Sequence, residues 1–308
     1  MRTYTPAALV AALLVATGFS LLYVEKLKLE PSPIRATKVT KVFSPDCRCG
    51  QTKARISFGL GKPDVASVSI VDASGRLVRT VEEGRHVGRR PVAFLWDGRD
   101  RTGRVAPDGV YHAHVRLDLL EKTFVLPNPI RIDTAPPRVS VLGVGPRVLS
   151  PDGDGRHDRL VVRYRTSQPA QAILLVNGDR RVLGRPGLLA GQLRWYGRVG
   201  GKGLRPGSYL LAVRAVDDAG NRSRLVRAGS IRVRYVELGQ TTYRARAGRR
   251  FPVFVSTDAG RVSWLLAGRS GRARPPLLRL RAPAKPGRYT LYVSARGHAA
   301  SARVVVVR

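Results

Sequence analysis

The chain is poor in the residues that most often carry chemistry. Its 308 residues include two cysteines, one methionine and only 6% aromatics. Cys47 and Cys49 are too few for a disulfide framework or a four-cysteine zinc site. So few aromatics exclude a stacking groove for single-stranded nucleic acid, and the arginines are spread along the chain instead of clustering on one element. Gly268-Arg-Ser270-Gly271 lacks the glycine spacing of a nucleophile elbow. No phosphate-binding glycine loop followed by lysine and serine or threonine occurs, and no zinc-protease histidine pair. The adjacent acids Glu82-Glu83 would face opposite ways on a strand, and Asp217-Asp218 sits in a turn motif, so neither makes a catalytic pair. These absences predict a protein that is not an enzyme, with no small-molecule substrate and no specific nucleic-acid partner.

Acids are scarce too. Lysine plus arginine number 55 against 21 acids, a net charge of +34. Such a surface attracts polyanions. Anionic cell-wall polymers, anionic lipid or an envelope protein are the candidate partners, although an even spread of arginine also fits a plain compositional bias. The 32 glycines and 21 prolines, with 43% hydrophobic residues, favour short strands and tight turns around packed cores.

One long apolar run stands out. No residue from Thr3 to Val24 is charged, and Glu25, Lys26 and Lys28 follow. A helix of about 20 apolar residues spans a bilayer. The expectation is a single-pass cell-membrane anchor over residues 1–28, with the bulk of the chain extracytoplasmic. The alternative is secretion after cleavage near Ala16 and Gly18. Residues 29–42, with two prolines, read as a stalk.

Beyond the stalk lie two diverged repeats. The first, expected over 43–135, begins FSPDCRCGQTKARISFGL and continues to LWDGRDRTGRVAPDGVYHAHVRL. The second, over 136–237, contains LSPDGDGRHDRLVVRYR and LRWYGRVGGKGLRPGSYLLAVRA. Alternation at Ala54, Ile56, Phe58 and Leu60, and at Leu160, Val162 and Tyr164, is that of half-buried strands. Asn177-Gly178 suits a tight hairpin turn. A third small β-sandwich is expected over 238–308, where PAKPGRYTLY echoes the turn-then-tyrosine landmark. Trp96, Trp195 and Trp264 are the expected core plugs. The fold class is all-β, with tandem sandwiches behind an N-terminal transmembrane helix.

The Ser44-Pro45 opening, SIVDASGRLVRTV, and WDGRD followed by GRVAPDGVY resemble the immunoglobulin-like domain of the flagellar hook-capping protein FlgD, which is also found on many secreted bacterial proteins. The second repeat resembles it less, because Tyr196 replaces the aspartate and the loop after the tryptophan is shorter. The resemblance implies β-sandwiches and a surface location, not a flagellar role.

Two loops carry the candidate site chemistry. Asp152, Asp154 and Asp158, spaced by glycines, can converge as oxygen ligands for a structural calcium ion, the one cofactor suggested. The competing reading is a turn whose aspartates cap backbone amides. At the equivalent place in the first repeat stand Cys47 and Cys49, which can form an intraloop disulfide, remain thiols, or pair between chains. His112 and His114 share a strand face without an evident third ligand. The function expected from all this is a non-catalytic, membrane-anchored scaffold or adhesion module. The alternative is an accessory subunit or assembly factor of a secreted enzyme or surface appendage.

Overall fold

The structure, a computed structural model, describes residues 6–28 and 32–308. The ends of two expected segments, Thr3–Thr5 of the apolar run and Leu29–Pro31 of the stalk, lie outside the described residues. Pro6–Lys28 is an α-helix. Among the described residues no helix is long and apolar enough to cross a membrane, so the expected single-pass anchor and the placement built on it are overturned. The helix runs on into the charged sequence Glu25-Lys26-Leu27-Lys28. Its earlier part includes Thr17, Gly18 and Ser20, which contribute little transfer free energy. The Thr17 hydroxyl donates back to the Leu13 carbonyl at 2.7 Å.

The remainder is all-β, with three separate hydrophobic cores. The chain divides into two compact units: Met1–Asp46 with Gln51–Thr134, and Cys47–Gly50 with Ala135–Arg308.

The first unit is a two-sheet sandwich. One sheet orders Ile34–Val39, Ala54–Leu60 and Val92–Trp96. The other runs Val42–Phe43, Ile130–Ile132, Gly109–Leu117, Asp64–Asp72 and Leu77–Val87, with Lys122–Val125 added beside Gly109–Leu117. Ile34–Val39 falls in the segment expected as a stalk. It pairs antiparallel with Ala54–Leu60 because Ile34, just after the prolines, has a core to enter. The alternating apolar residues of both sheets, among them Ile56, Phe58, Ile70 and Val115, are fully buried. Trp96 plugs this core, edge-on to Phe43 at 5.6 Å and to Tyr111 at 5.1 Å, geometries the ring quadrupoles favour. Its indole N–H donates to the Arg99 carbonyl at 3.0 Å, so the plug is polar-satisfied.

The second unit contains two cores. In the first of them the 17-residue strand Leu160–Val176 serves both sheets. Its opening half pairs with Val139–Gly145 and Leu188–Trp195, and its closing half with Gly207–Val216. Asn177 and Gly178 both have positive φ and close the hairpin to Asp179–Leu183. The remaining sandwich sets Glu237–Leu238, Arg250–Ser256 and Leu277–Arg281 against a five-stranded sheet that holds Val262–Leu266, Gly287–Ala295 and His298–Val307. Trp195 is buried, but Trp264 is only half-buried, lying across Gly271. A β-carbon on Gly271 would come 2.8 Å from that indole, so the glycine makes room for the ring.

One device recurs in all three sandwiches. Tyr111 donates to the Pro107 carbonyl, Tyr209 to Arg205 and Tyr289 to Lys285, each four residues back across a turn containing proline and glycine. These are tyrosine corners, which pin the entry to a strand in immunoglobulin-like folds.

Candidate functional site

The acidic loop lies between the short strand Val148–Leu149 and Leu160–Val176. Glycines at 153 and 155, with φ of 86° and 85°, curl it, and His157 also adopts positive φ. Asp158 is the pin. Its Oδ1 accepts the Gly153 amide at 2.8 Å and its Oδ2 the Gly155 amide at 2.6 Å. Both oxygens are therefore engaged in shaping the loop. Asp152 accepts the Asp154 amide at 3.2 Å and Asp154 accepts the Arg156 amide at 2.7 Å, each through Oδ1.

Of the three aspartates expected to converge, Asp152 and Asp154 do so. The third carboxylate beside them is Asp258, from the turn after Arg250–Ser256 in the following sandwich. One oxygen from each of these three lies within 4.8 Å of the others. Burial pushes the Asp152 carboxyl above its ordinary pKa, and the charges of Asp154, Asp258 and Asp158 push the same way, opposed by the Asp154 amide. Three close carboxylates with few protein donors suit a hard divalent cation. An open cleft of about 730 Å³ flanks the loop, lined by His157, Asp158, Arg159, Tyr196 and Arg198 among others.

The corresponding loop of the first repeat differs. Cys47 and Cys49 are joined by a disulfide there. Asp46 has Arg99 at 3.8 Å, one aspartate facing a cation instead of a gathered set. His112 and His114 lie half-buried on one face of Gly109–Leu117, opposite Val71 and Ser69. Asp217 accepts from Asn221 and from Gln168 Nε2, so this acid ties a turn.

A pair of matching turns stands in the first sandwich. Asp72 Oδ1 accepts the Ser74 amide, the Ser74 hydroxyl and the Arg76 amide. Asp100 Oδ1 accepts the Thr102 amide, the Thr102 hydroxyl and the Arg104 amide. Both carboxyls are held below their ordinary pKa, chiefly by the hydroxyl bond. The two turns border a shallow cleft of about 600 Å³ with Asp108 and Tyr111. The signal was present as Asp-x-Ser/Thr-Gly-Arg, written twice, at 72–76 and 100–104.

These features define an all-β protein of tandem β-sandwiches. Within it, residues 45–118 match the family model of the FlgD Ig-like domain. No curated protein matches the chain. Among solved structures, the chain is similar to fibronectin(III)-like modules of Clostridium thermocellum CbhA, at 14% identity and TM-score 0.36 over 64% of this chain and 92% of that one. It is similar to the Bacteroides ovatus glucan-utilisation protein SGBP-B, solved with a mixed-linkage heptasaccharide, at 15% identity and TM-score 0.23 over 91% and 69%. It is also similar to the titin I-band fragment I67–I69, at 12% identity and TM-score 0.29 over 90% and 99%.

Proposed function

We propose that the protein is a non-catalytic scaffold whose sandwich modules contact an anionic cell-wall polymer. The observation that carries this reading is the outward face of the three-stranded sheet in the last sandwich. Arg250 and Arg281 stand directly opposite each other there, and Arg279 is opposite Pro252, all exposed. Like charges in facing positions destabilise a sheet, and a bound polyanion relieves that repulsion. Phe254, 57% exposed, and Leu277 extend the same face as an apolar strip. Seven arginines among the described residues pair with a carboxylate, against 55 cationic side chains in the sequence.

The test is retention of the purified chain on isolated cell-wall material over a salt series. Retention should fall as salt rises, with a shallower slope for the R250Q/R279Q/R281Q variant. Absence of retention at low salt would remove the proposal. An unchanged slope in the variant would remove this face from it.

The FlgD Ig-like match over residues 45–118 supports a second reading, an accessory subunit of a surface assembly. It predicts recovery of one stoichiometric protein partner after crosslinking, and a chain recovered without one would count against it.

A further inference from the structure

We propose that Asp152, Asp154 and Asp258 form a calcium site that ties the second sandwich to the third. In a chain with 55 cationic side chains, electrostatics alone would place an arginine among three carboxylates. None of the Lys or Arg ion pairs among the described residues involves any of these acids. The decisive member is Asp258. Its side chain is 8% exposed, and both its oxygens are buried without a hydrogen-bond partner. An ionised carboxylate buried this way is strongly disfavoured unless a cation or donors compensate it.

His157 is the cationic candidate that faces Asp258, and it fits poorly. Its Nδ1 stands 3.6 Å from Asp258 Oδ2, beyond hydrogen-bond distance, on a side chain that is 55% exposed. Oxygens sharing one calcium at about 2.4 Å lie at most about 4.8 Å apart, and one oxygen from each of the three aspartates lies within that distance of the others. All-oxygen donors on an irregular loop favour calcium over zinc, which prefers nitrogen and sulfur, and over magnesium, which demands a near-ideal octahedron. Asp158 would support the site without ligating, since its bonds to the Gly153 and Gly155 amides set the curvature that presents Asp152 and Asp154.

The site joins two other contacts at the same junction. Arg232 pairs with Glu237 across the end of the second sandwich. Tyr235 stacks on His298 of the third with ring centroids 3.5 Å apart. A cation held by Asp152, Asp154 and Asp258 would add an electrostatic tie to this junction, and the first repeat, with Cys47 and Cys49 in the equivalent loop, has no such set.

The experiment uses the full chain, freed of metal with a chelator. Calcium chloride is titrated by calorimetry, and thermal unfolding is followed with and without millimolar calcium. Wild type should bind about one calcium and unfold at a higher temperature with it. D258N and D154N should each weaken binding by about tenfold or more. D258N should also raise the unfolding temperature of the calcium-free protein, because it removes like-charge repulsion. H157Q should leave calcium binding intact. Wild type that shows neither binding heat nor a thermal shift overturns the proposal. So does D258N that lowers the calcium-free unfolding temperature while H157Q does the same, the result of a histidine–aspartate pair with no metal.

Discussion

The Tyr111 hydroxyl donates to the Pro107 carbonyl at 2.6 Å, and the ring itself is 4% exposed against Trp96. Burial, together with Asp72 and Asp108, raises its pKa, so the hydroxyl stays a proton donor. Y111F removes one buried hydrogen bond and leaves the ring in place. The expected cost is about 1 kcal/mol, read by chemical denaturation. Y209F and Y289F should cost less, because these tyrosines are only half-buried. Equal costs at all three positions would show that burial does not set the strength of the corner.

Asp72 titrates at about 2, below its ordinary 3.8, with the Ser74 hydroxyl the first cause. Since the folded value is the lower one, its contribution to stability is complete above the ordinary value. It is lost as pH falls from there through about 2. Carboxyl NMR should show this residue titrating well below the ordinary carboxylate range. S74A should move its midpoint upward. An unmoved midpoint would assign the shift to the backbone amides instead.

Asp158 accepts two loop amides, and D158A strands both. The expected destabilisation is about 1–2 kcal/mol, with faster amide exchange at Gly153 and Gly155. D158N keeps acceptor capacity and should fall between wild type and D158A. Unchanged exchange in D158A would mean that the glycines curl the loop unaided.

Cys47 and Cys49 are bonded to each other. Alkylation of the native protein without reductant should add no mass, and after reduction it should add two labels. Two labels before reduction would refute the bond, and a covalent dimer would replace it with pairing between chains.

Much of the architecture is readable along the chain. Ala54, Ile56, Phe58 and Leu60 alternate inward, Asn177-Gly178 closes a hairpin, and Trp96 plugs a core, because a strand's two-residue period and a turn's positive φ are local properties. The repeated proline–glycine–tyrosine landmark likewise marked corners that the structure places in all three sandwiches. Local reading failed at Ile34–Val39, where two prolines suggested a stalk but a distant strand offered a pairing edge. It failed again at Pro6–Lys28, where counting uncharged residues overstated how apolar the helix is.

The candidate site divides along the same line. That Asp152 and Asp154 share a glycine-curled loop is local, since both lie within one turn's reach of the backbone. That Asp158 faces its own loop amides and that Asp258 supplies the third carboxylate emerges from the folded packing. The difference is one of range. Capping bonds and turn geometry act over a few residues, whereas Asp258 meets the loop only because two separate cores fold and bring their ends together.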